Sequence, residues 1–535
     1  MEPGFKEGFR VNRKQFEKDR GRTKSKRNKI RRQRLANRKR RIEQRLEKRG
    51  GPVVPWKPMF QPVNVQYEVA ERARGMAYGG IGVIHEMVEE IGLAAAIDRH
   101  VHALKLYAPY HESDHVLNIA YNVLCGGRCL EDIELRRNDE VFLDALGTSR
   151  IPDPTTAGDF CRRFDPLKIR HLMQAFDESR LKVWARQPQE FFDEAIIDMD
   201  GTLVETSGEC KEGMDISYNG VWGYHPLIVS LANTQEVLRL VNRSGNRPSH
   251  EGAASEADES IALCRRAGFR KILLRGDTDF SQTKHLDRWD QDHVRFIFGM
   301  DVTANKHILA DDLPADVWEL LQRAPRYQVK TKPRRRPANV KQQIVRAREF
   351  ETIRLVCEEI AEFEYRPTAC KQTYRMIVVC KNLVHEKGQM RLFDDYRYFL
   401  YITNDRETPA CQIVFLANQR CDQENLIGQL KSGVRSLRAP LDSLNSNWAY
   451  MVMTSLSWNL KSWWALMLPE QPGRWAERHK EQKRRVLKMQ FQTFLNAFVH
   501  IPCQIVRTGR RLIYRVLNWN PWQAVFFRLV DVLRC

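Results

Sequence analysis

The spacing of apolar and polar residues divides the chain into a helical first third and a mixed α/β region beyond residue 190. Between 79 and 180, apolar residues recur at helical spacing, as in Ile84-His-Glu-Met-Val-Glu-Glu-Ile, and turn signals such as Pro109 separate the segments. This pattern predicts several short helices, which suit either a plain helical bundle or a helix-turn-helix.

From Phe191 onward, short apolar runs replace the helical spacing and predict strands. The predicted strands are 191–199, 218–231, 235–241, 271–275 and 294–298, with a helix over 254–267. Three strands, a helix and further strands indicate an α/β fold built on a sheet of mixed direction. Short strand-like runs follow at 351–356, 374–379 and 396–403, and a helix is predicted from 419 to about 434.

The most membrane-like stretch of the chain runs from Trp448 to Leu468. Asn459 and Lys461 interrupt it, so it is interpreted as a buried helix rather than a membrane span. The twelve cysteines are scattered and form no CxxC pair, which fits a reducing compartment and predicts a cytoplasmic protein without membrane partners.

Charge is distributed unevenly along the 535 residues. The formal net charge is +20, and residues 1–50 hold 21 Lys+Arg against 6 Asp+Glu, which leaves +5 for the other 485 residues. A basic arm on a nearly neutral body predicts a polyanionic partner, nucleic acid before membrane. Such an arm is expected to be disordered, or a frayed helix, until it meets phosphates.

A second basic run, from 323 to 348, has ten basic residues and no acid. It is another candidate nucleic-acid contact, and a solvated linker is the alternative. The candidate DNA-binding residues of the two segments are Lys26, Arg27, Arg38, Lys39, Arg40, Arg334, Arg335 and Arg336.

Carboxylates end two of the predicted strands. Asp198 and Asp200 close the first, and Asp277 and Asp279 follow the strand 271–275. Residues at i and i+2 share one face of a strand, and like charges held together there repel unless a cation joins them. A lone Asp at such a place often only caps the next turn, but two acidic strand ends in one sheet favour a metal site.

A third group lies on the helix predicted from 419. At about 100° per residue, Arg420, Glu424 and Lys431 fall near 0°, 40° and 20°, so they form one stripe beside the apolar side of the helix. The alternative is an ordinary surface Arg–Glu pair, which contributes only about 0.3–0.5 kcal/mol.

A weaker metal pattern joins an HxxxH to a CxxxC. It consists of His111, His115, Cys125 and Cys129, whose donor types suit zinc although their spacing is atypical. The alternative is two helices that carry histidines on a polar face.

These residues resemble the motifs of bacterial insertion-sequence transposases of the DDE type. Arg420, Glu424 and Lys431 match the family signature Tyr-x2-Arg-x3-Glu-x6-Lys at the required spacing, whereas Ala417 stands at its tyrosine position. Asp200-Gly-Thr looks like the first Asp motif of the family, and Arg275-Gly-Asp277 looks like the second.

One further run narrows the resemblance. Residues 218–227, Tyr-Asn-Gly-Val-Trp-Gly-Tyr-His-Pro-Leu, are similar to the subgroup named for insertion sequence thirteen-eighty, also called DDE transposase group one. The resemblance is firm over 190–440, looser over 75–180 and 445–520, and absent for the first 50 residues.

The resemblance implies a fold and a division into domains. It implies an α/β, ribonuclease-H-like mixed sheet flanked by helices, with a β-rich insertion and an α-helical N-terminal domain. The expected parts are a basic disordered arm over 1–50, a helical DNA-binding domain over 51–185, the catalytic core over 190–300 and 405–465, the insertion over 301–404, and a basic helical C-terminal region over 466–535.

The resemblance also implies the chemistry. Asp200, Asp277 and Glu424 would hold two Mg²⁺ ions, for which Mn²⁺ would be a substitute, and Asp198 and Asp279 would lie behind these ligands or replace them. Arg420 and Lys431 would bind phosphates.

The activity implied is Mg²⁺-dependent cleavage and strand transfer at terminal inverted repeats. The implied partners are double-stranded DNA, as transposon ends and target, and a second copy of the chain in the DNA complex; the implied location is the bacterial nucleoid.

Two other functions compete with this one. A haloacid-dehalogenase-type phosphatase would use Asp198 as nucleophile, Asp200 as general acid and Lys271 as phosphate partner, but Ser281 stands where its second metal-binding acid is usual. A non-catalytic DNA-binding descendant of a transposase would have lost a carboxylate, and none of the three is lost. His225 is interpreted as structural, because no carboxylate motif surrounds it.

Overall fold

A computed structural model of the chain describes residues 13–48, 65, 67, 74–105, 109–323, 339–388, 390–509 and 511–533. The basic N-terminal segment, expected to be disordered or a frayed helix, is helical over Arg13–Lys48 (α1). Arg, Lys, Gln and Leu are good helix formers, and α1 is further held by contacts with the C-terminal part of the chain, described below.

The expected helical region follows. Its elements are β1 (Gly75–Met76), α2 (Ile81–Glu90), α3 (Leu93–His100), α4 (Glu112–Leu124), α5 (Ile133–Arg137), α6 (Glu140–Ala145), α7 (Pro154–Arg162) and α8 (Pro166–Trp184). Both α7 and α8 begin with an Asp-Pro pair, in which Asp153 accepts from the Thr156 amide and Asp165 from the Lys168 amide. Proline at the first helical position and an Asp cap together fix where these helices begin.

The α/β region begins with β2 (Glu194–Gly201). The elements after it are β3 (Val204–Glu205), β4 (Asp215–Ile216), β5 (Trp222–Tyr224), β6 (Leu227–Leu231), β7 (Glu236–Val241), α9 (Ala253–Ala267), β8 (Lys271–Gly276), α10 (Leu286–Gln291), β9 (Arg295–Met300), α11 (Ala304–Asp311) and β10 (Glu319–Leu320). The strands and the helix predicted between 191 and 298 are therefore present with ends shifted by a few residues, except that the strand predicted over 218–231 is divided into β5 and β6.

Most of these strands belong to one large mixed sheet, which is consistent with the predicted α/β class, whereas β3, β5 and β4 form a separate three-stranded sheet. The order of the large sheet is β10, then three long strands, β11 (Glu351–Tyr365), β12 (Tyr374–Lys387) and β13 (Met390–Thr403), and then β9-β8-β2-β6-β7. β2 pairs in parallel with β8, and β8 pairs in parallel with β9; on the other side β6 pairs antiparallel with β2, and β7 pairs antiparallel with β6. The carboxyl ends of β2 and β8 therefore lie side by side at one edge of the sheet.

The three long strands β11, β12 and β13 extend the sheet beyond β9 and are preceded by α12 (Val340–Ala347). The sequence predicted only short runs here, because the distal halves of these strands are largely exposed and carry no clear apolar alternation. Cross-strand contacts extend them instead, such as the Arg354–Glu386 ion pair and the stacking of His385 on Phe393 at 4.3 Å.

The chain returns to the sheet through two helices and crosses it with a third. These are α13 (Ala410–Gln419), α14 (Cys421–Gly428) and α15 (Leu444–Leu466), and a π-helical turn over Gln429–Gly433 follows α14. The helix predicted from 419 to about 434 is present over 421–433, as α14 and the π turn, and a break at Arg420 separates it from α13. α15 is buried along almost its whole length, as expected for 448–468. None of the helices in the described ranges has the length and apolar character needed to cross a membrane.

A buried ion network fixes the helical region on the edge of the sheet. Arg180 of α8 is 1% exposed and pairs with Asp177 and, at 2.8 Å, with Glu236 of β7. Glu236 also accepts from the indole N–H groups of Trp184 and Trp463 at 2.8 and 2.7 Å. The network therefore joins α8, β7 and α15 into one packed unit.

The C-terminal region was predicted to be helical, and that prediction is only partly right. It contains α16 (Ala476–Leu487), α17 (Phe491–Phe494) and α18 (Gln523–Leu533), but also the hairpin β14 (Cys503–Thr508) and β15 (Arg511–Val516). β14 pairs with β1, which forms a small second sheet. The run from Gln504 to Arg507 mixes β-branched and polar residues, and antiparallel pairing with β1 and β15 stabilises it as a strand.

Candidate active site

The two predicted acidic strand ends meet at the same edge of the sheet. β2 and β8 are parallel neighbours, and Asp198 pairs in register with Arg275. Asp200 and Asp277 each lie two residues beyond this pair. Because the two strands are parallel, Asp200 and Asp277 are also neighbours across them. The two acidic strand ends that the sequence indicated therefore lie side by side.

Asp198 is not free to act at this edge. It is 1% exposed, and its two carboxylate oxygens accept from Nε and Nη2 of Arg275 at 2.7 and 2.8 Å. The remaining Nη1 of Arg275 donates to the carbonyl of Leu416 at 2.7 Å. This bidentate ion pair neutralises Asp198 inside the protein and ties β2, β8 and α13 together.

Asp200 and Asp277 lie beside the same guanidinium, that of Arg420. Nη1 of Arg420 lies 3.1 Å from Oδ2 of Asp200, and Nη2 lies 3.8 Å from Oδ2 of Asp277. Burial raises the pKa of Asp200 to about 6, against the lowering effect of Arg420, and the charge of Asp277 raises it further. Burial also raises the pKa of Asp277, and the negative charge of Asp279 raises it further. Two carboxylates against one guanidinium leave an unbalanced negative charge at a partly desolvated site.

Asp277 also has the capping role that the sequence left open. Its side chain accepts from the Asp279 amide at 3.1 Å and caps the 3-10 turn Thr278–Phe280. The bond involves Oδ1, whereas Arg420 faces Oδ2, so one carboxylate serves the turn and the site together.

Helix α14 is docked over this edge by a residue that the sequence analysis missed. Gln423 is buried, accepts from the hydroxyl of Ser230 and donates to the carbonyl of Ile228 at 3.2 Å. On β6, Ile228 and Ser230 pair in register with Asp200 and Asp198. The sequence does contain one indication that Gln423 is buried: it lies three residues before Leu426, on the apolar side of the predicted helix.

Glu424 and Lys431 occupy α14 and the π turn after it. Glu424 is exposed and lies one helical turn beyond Arg420, a spacing that brings side chains within about 5–6 Å on a helix surface. Partial burial lowers the pKa of Lys431, and the negative charge of Asp200 opposes that shift. The structure thus brings Asp200, Asp277 and Arg420 into contact and leaves Glu424 solvent-exposed on the adjacent helix.

The oxygen donors of Asp200 and Asp277 fit a hard divalent cation such as Mg²⁺, which takes only one or two protein carboxylates and keeps its remaining positions for water and phosphate. The negative charge that Arg420 leaves unbalanced at these two carboxylates also favours a bound divalent cation. Within the described ranges, however, no group of three or more His, Cys, Asp or Glu side chains is arranged to hold a metal ion. Two of the three predicted ligands therefore converge, and Glu424 does not join them in this arrangement.

His225 packs directly behind Asp200. Its Nδ1 donates to the carbonyl of Arg247 at 2.8 Å, and a Cβ at Gly201 would lie 2.7 Å from its Nε2. The imidazole thus occupies the space of a side chain at Gly201, which agrees with the structural role expected for it.

The zinc pattern is not assembled. His111 caps the start of α4, and Cys129 is exposed. His115 is buried and stacks on Phe160 at 4.3 Å, so the alternative of histidines on a polar face is also wrong.

The predicted DNA-binding residues differ in how the structure places them. Nη1 of Arg38 is committed to the carbonyls of Val516 and Asn518, whereas Lys39 and Arg40 are exposed on α1. Lys26 and Arg27 lie within α1, but their side chains are not among those described. Arg334, Arg335 and Arg336 lie outside the described residues.

Comparison with known proteins adds the following. Residues 73–535 match the model of the family described as transposase DDE domain group 1. No curated protein matches the chain. Among solved structures, the chain is similar to the piggyBac transposase in its synaptic complex with hairpin DNA, with 10% sequence identity, a TM-score of 0.34, and coverage of 80% of this chain and 83% of that chain.

Proposed function

Since the chain belongs to the transposase DDE domain group 1 family, we propose that it cleaves and joins DNA at the terminal inverted repeats of its own bacterial insertion sequence. The run 218–227 places it, in this proposal, in the subgroup of insertion sequence thirteen-eighty. Two copies of the chain would act together on a pair of ends, in the bacterial cytoplasm and on the nucleoid.

We propose a ribonuclease-H-like core over 190–300 and 405–465. The order β7-β6-β2-β8-β9 supports it, because an antiparallel unit is followed by two parallel strands and the site lies where β2 and β8 end side by side. The helical region over 51–185, the insertion over 301–404 and the terminal basic regions keep their proposed roles around this core.

Asp200, Asp277 and Glu424 would hold two Mg²⁺ ions in this site, with Mn²⁺ as a substitute. Metal bound there supplies an activated water or 3′-hydroxyl and stabilises the departing oxygen. Arg420 would contact the phosphate beside the scissile bond through its planar fork, and Lys431 would add a point charge. Gln423 holds α14 against β6, and Arg420, at the start of that helix, contacts Asp200.

The observation that carries this proposal is the convergence of Asp200 and Asp277 on Arg420 at adjacent strand ends. It also weighs against the phosphatase alternative. A nucleophile needs a free oxygen, but both oxygens of Asp198 are bonded to Arg275. Lys271 begins β8, roughly 20 Å from Asp277 at about 3.3 Å per residue, so it is too distant to serve a phosphate at this edge.

The experiment compares Glu424→Gln with the wild-type chain on DNA that carries the inverted repeats. We expect the variant to bind these ends with unchanged affinity and to lose cleavage by at least about a hundredfold, because a metal ligand is removed without changing the fold. Asp422→Asn, on the same exposed helix, is the matched control and should cleave normally. Wild-type cleavage by Glu424→Gln would refute the assignment.

A further inference from the structure

Basic residues are concentrated in two segments that lie at opposite ends of the sequence. Residues 1–50 hold 21 Lys+Arg and 6 Asp+Glu, and residues 466–535 hold 13 and 4. The 415 residues between them hold 53 and 57, a net charge of −4. The body of the protein is therefore slightly acidic, and the positive charge belongs to its two ends.

The fold brings these two ends together. α1 lies along α18, where Nη2 of Arg31 is 2.8 Å from Oδ1 of Asp531 and its guanidinium is 4.6 Å from the ring centroid of Phe527. Phe527 and Asp531 are four residues apart, so they lie on the same face of α18, and this face contacts α1.

A second contact lies seven residues farther along α1. Nη1 of Arg38 donates to the carbonyls of Val516 and Asn518 at 2.7 and 2.9 Å, where β15 ends. Because β15 is the edge strand of its sheet, its carbonyls are available to such a donor.

The two contacts define an inner and an outer face of α1. Asn28, Arg31, Leu35 and Arg38 are half-buried and recur at spacings of three and four, as expected for one stripe of a helix. The outer face is exposed and mainly basic: its basic residues are Lys29, Arg32, Arg34, Lys39, Arg40, Arg41 and Arg45, and Glu43 and Glu47 are also exposed.

α18 also contacts α16. Arg528 donates from Nη1 to Oε1 of Gln482 at 2.9 Å, and the guanidinium of Arg485 lies 5.0 Å from the ring centroid of Trp522. The exposed basic residues of this part include Arg478, Lys480, Arg484, Lys488, Arg507 and Arg515. α18 therefore contacts two basic elements and connects them.

We propose that α1, α16 and the β14–β15 hairpin form one composite surface that binds the phosphate backbone of duplex DNA, with α18 holding α1 in place. The choice of duplex DNA rests on the proposed function. α1 is about 54 Å long at 1.5 Å per residue, enough to follow more than one turn of a duplex at about 34 Å per turn. Arginine predominates on its outer face, and its planar fork suits phosphate oxygens.

The test measures binding of a random-sequence duplex of about 20 base pairs in EDTA, by fluorescence anisotropy over a series of salt concentrations. One variant combines Lys480→Ala, Lys488→Ala and Arg515→Ala, and a second combines Arg32→Ala, Arg34→Ala and Arg40→Ala. The matched control removes three exposed charges from the acidic body: Arg266→Ala, Lys271→Ala and Lys387→Ala.

Each basic-surface variant should lower the slope of log K against log salt by about 2–3, since each lost phosphate contact changes it by about 0.9. Affinity at 0.1 M salt should fall by roughly tenfold or more, and the two sets of changes should add when combined. The control should keep the wild-type slope. Exchanging the three C-terminal residues between Lys and Arg should also keep it, which separates lost charge from lost folding.

An unchanged slope in the C-terminal variant, with a reduced slope in the α1 variant, would overturn the composite surface and leave the proposed function intact. A wild-type chain that does not bind duplex DNA at all would contradict the proposed function itself. Stronger competition by single-stranded RNA or by phosphatidylserine vesicles than by duplex DNA would assign the surface to another polyanion and overturn the proposal.

Discussion

Arg420 is the residue on which the chemistry of the site depends most directly. Its guanidinium contacts Asp200 and Asp277, so a divalent cation that binds these carboxylates must compete with it. At an effective dielectric constant of about 20, unit charges 4 Å apart interact by about 4 kcal/mol, which is large enough for this competition to affect metal affinity.

We therefore expect Arg420→Ala to bind Mn²⁺ about tenfold more tightly than the wild-type chain when no DNA is present. The reason is that two carboxylates without their shared cation attract a divalent ion more strongly. Calorimetric titration of Mn²⁺ at pH 8 measures the change directly, without reference to cleavage.

Arg420→Lys is the control for this experiment, because it keeps the positive charge and should bind Mn²⁺ nearly as the wild-type chain does. Equal Mn²⁺ affinity in Arg420→Ala and the wild-type chain would show that the guanidinium does not compete for the metal site.

The sequence indicated two acidic strand ends in one sheet, and the family resemblance singled out Asp200 and Asp277 among their carboxylates. The sequence alone could not distinguish Asp198 from Asp200, since both share one face of a strand; only the position of Arg275 on β8 decides that Asp198 is neutralised. Gln423 was missed because its partners lie on β6, almost two hundred residues earlier in the chain.

At the scale of elements, α15 shows how far a pattern of apolar residues can predict burial. The sequence favoured a buried helix over 448–468 in spite of Lys461, and Lys461 is 0% exposed. Its Nζ donates to the carbonyl of Leu487 at 2.6 Å and lies 3.8 Å from the ring centroid of Trp458. Burial lowers the pKa of Lys461 to about 7.

This lowered pKa makes the free energy of unfolding depend on pH. The unfolded chain binds a proton at Lys461 up to its ordinary pKa near 10.4, whereas the folded chain loses it above about pH 7. Between these values the unfolded state holds more protons, so stability should rise with pH, by up to about 1.4 kcal/mol per pH unit, and should be lost as pH falls toward 7.

Lys461→Met should remove this dependence while keeping the volume of the side chain. Thermal unfolding of both proteins at pH 7, 8 and 9 measures the difference, and we expect the melting temperature of the wild-type chain to gain on that of the variant at each step. Lys480→Met, on the exposed surface of α16, should follow the wild-type chain. Parallel curves for Lys461→Met and the wild-type chain would contradict a buried, titrating amine.

Other elements could not be predicted from local pattern. The break between α13 and α14 at Arg420 and the π turn over Gln429–Gly433 have no counterpart in the apolar pattern of the sequence. The distal halves of β11, β12 and β13 are stabilised by pairing across strands, which no window of the sequence contains. The hairpin in the C-terminal region depends in the same way on β1, more than four hundred residues earlier.

At the scale of the whole molecule, the charge pattern along the chain gains its meaning from the fold. The sequence showed a basic arm and a nearly neutral remainder. The contacts of Arg31 and Arg38 place that arm against the basic C-terminal region, so the two basic segments lie together. The carboxylates of the site belong to the slightly acidic part of the chain between these segments. In the proposed function, one part of the surface would hold DNA and another part would position metal and the scissile phosphate.

Deletion of residues 1–50 tests this arrangement as a whole. The deletion removes 21 Lys+Arg, but 13 remain in the C-terminal region, so the salt dependence of DNA binding should become shallower without vanishing. α18 would also lose the contacts of Phe527 and Asp531 with α1, so amide hydrogen exchange in α18 should become faster while exchange in α15 stays the same. Deletion of residues 1–12 is the matched control, because that segment holds two basic and two acidic residues and precedes α1. Unchanged exchange in α18 after the longer deletion would show that the arm does not rest on it, and a salt slope of zero would show that the C-terminal region contributes no phosphate contacts.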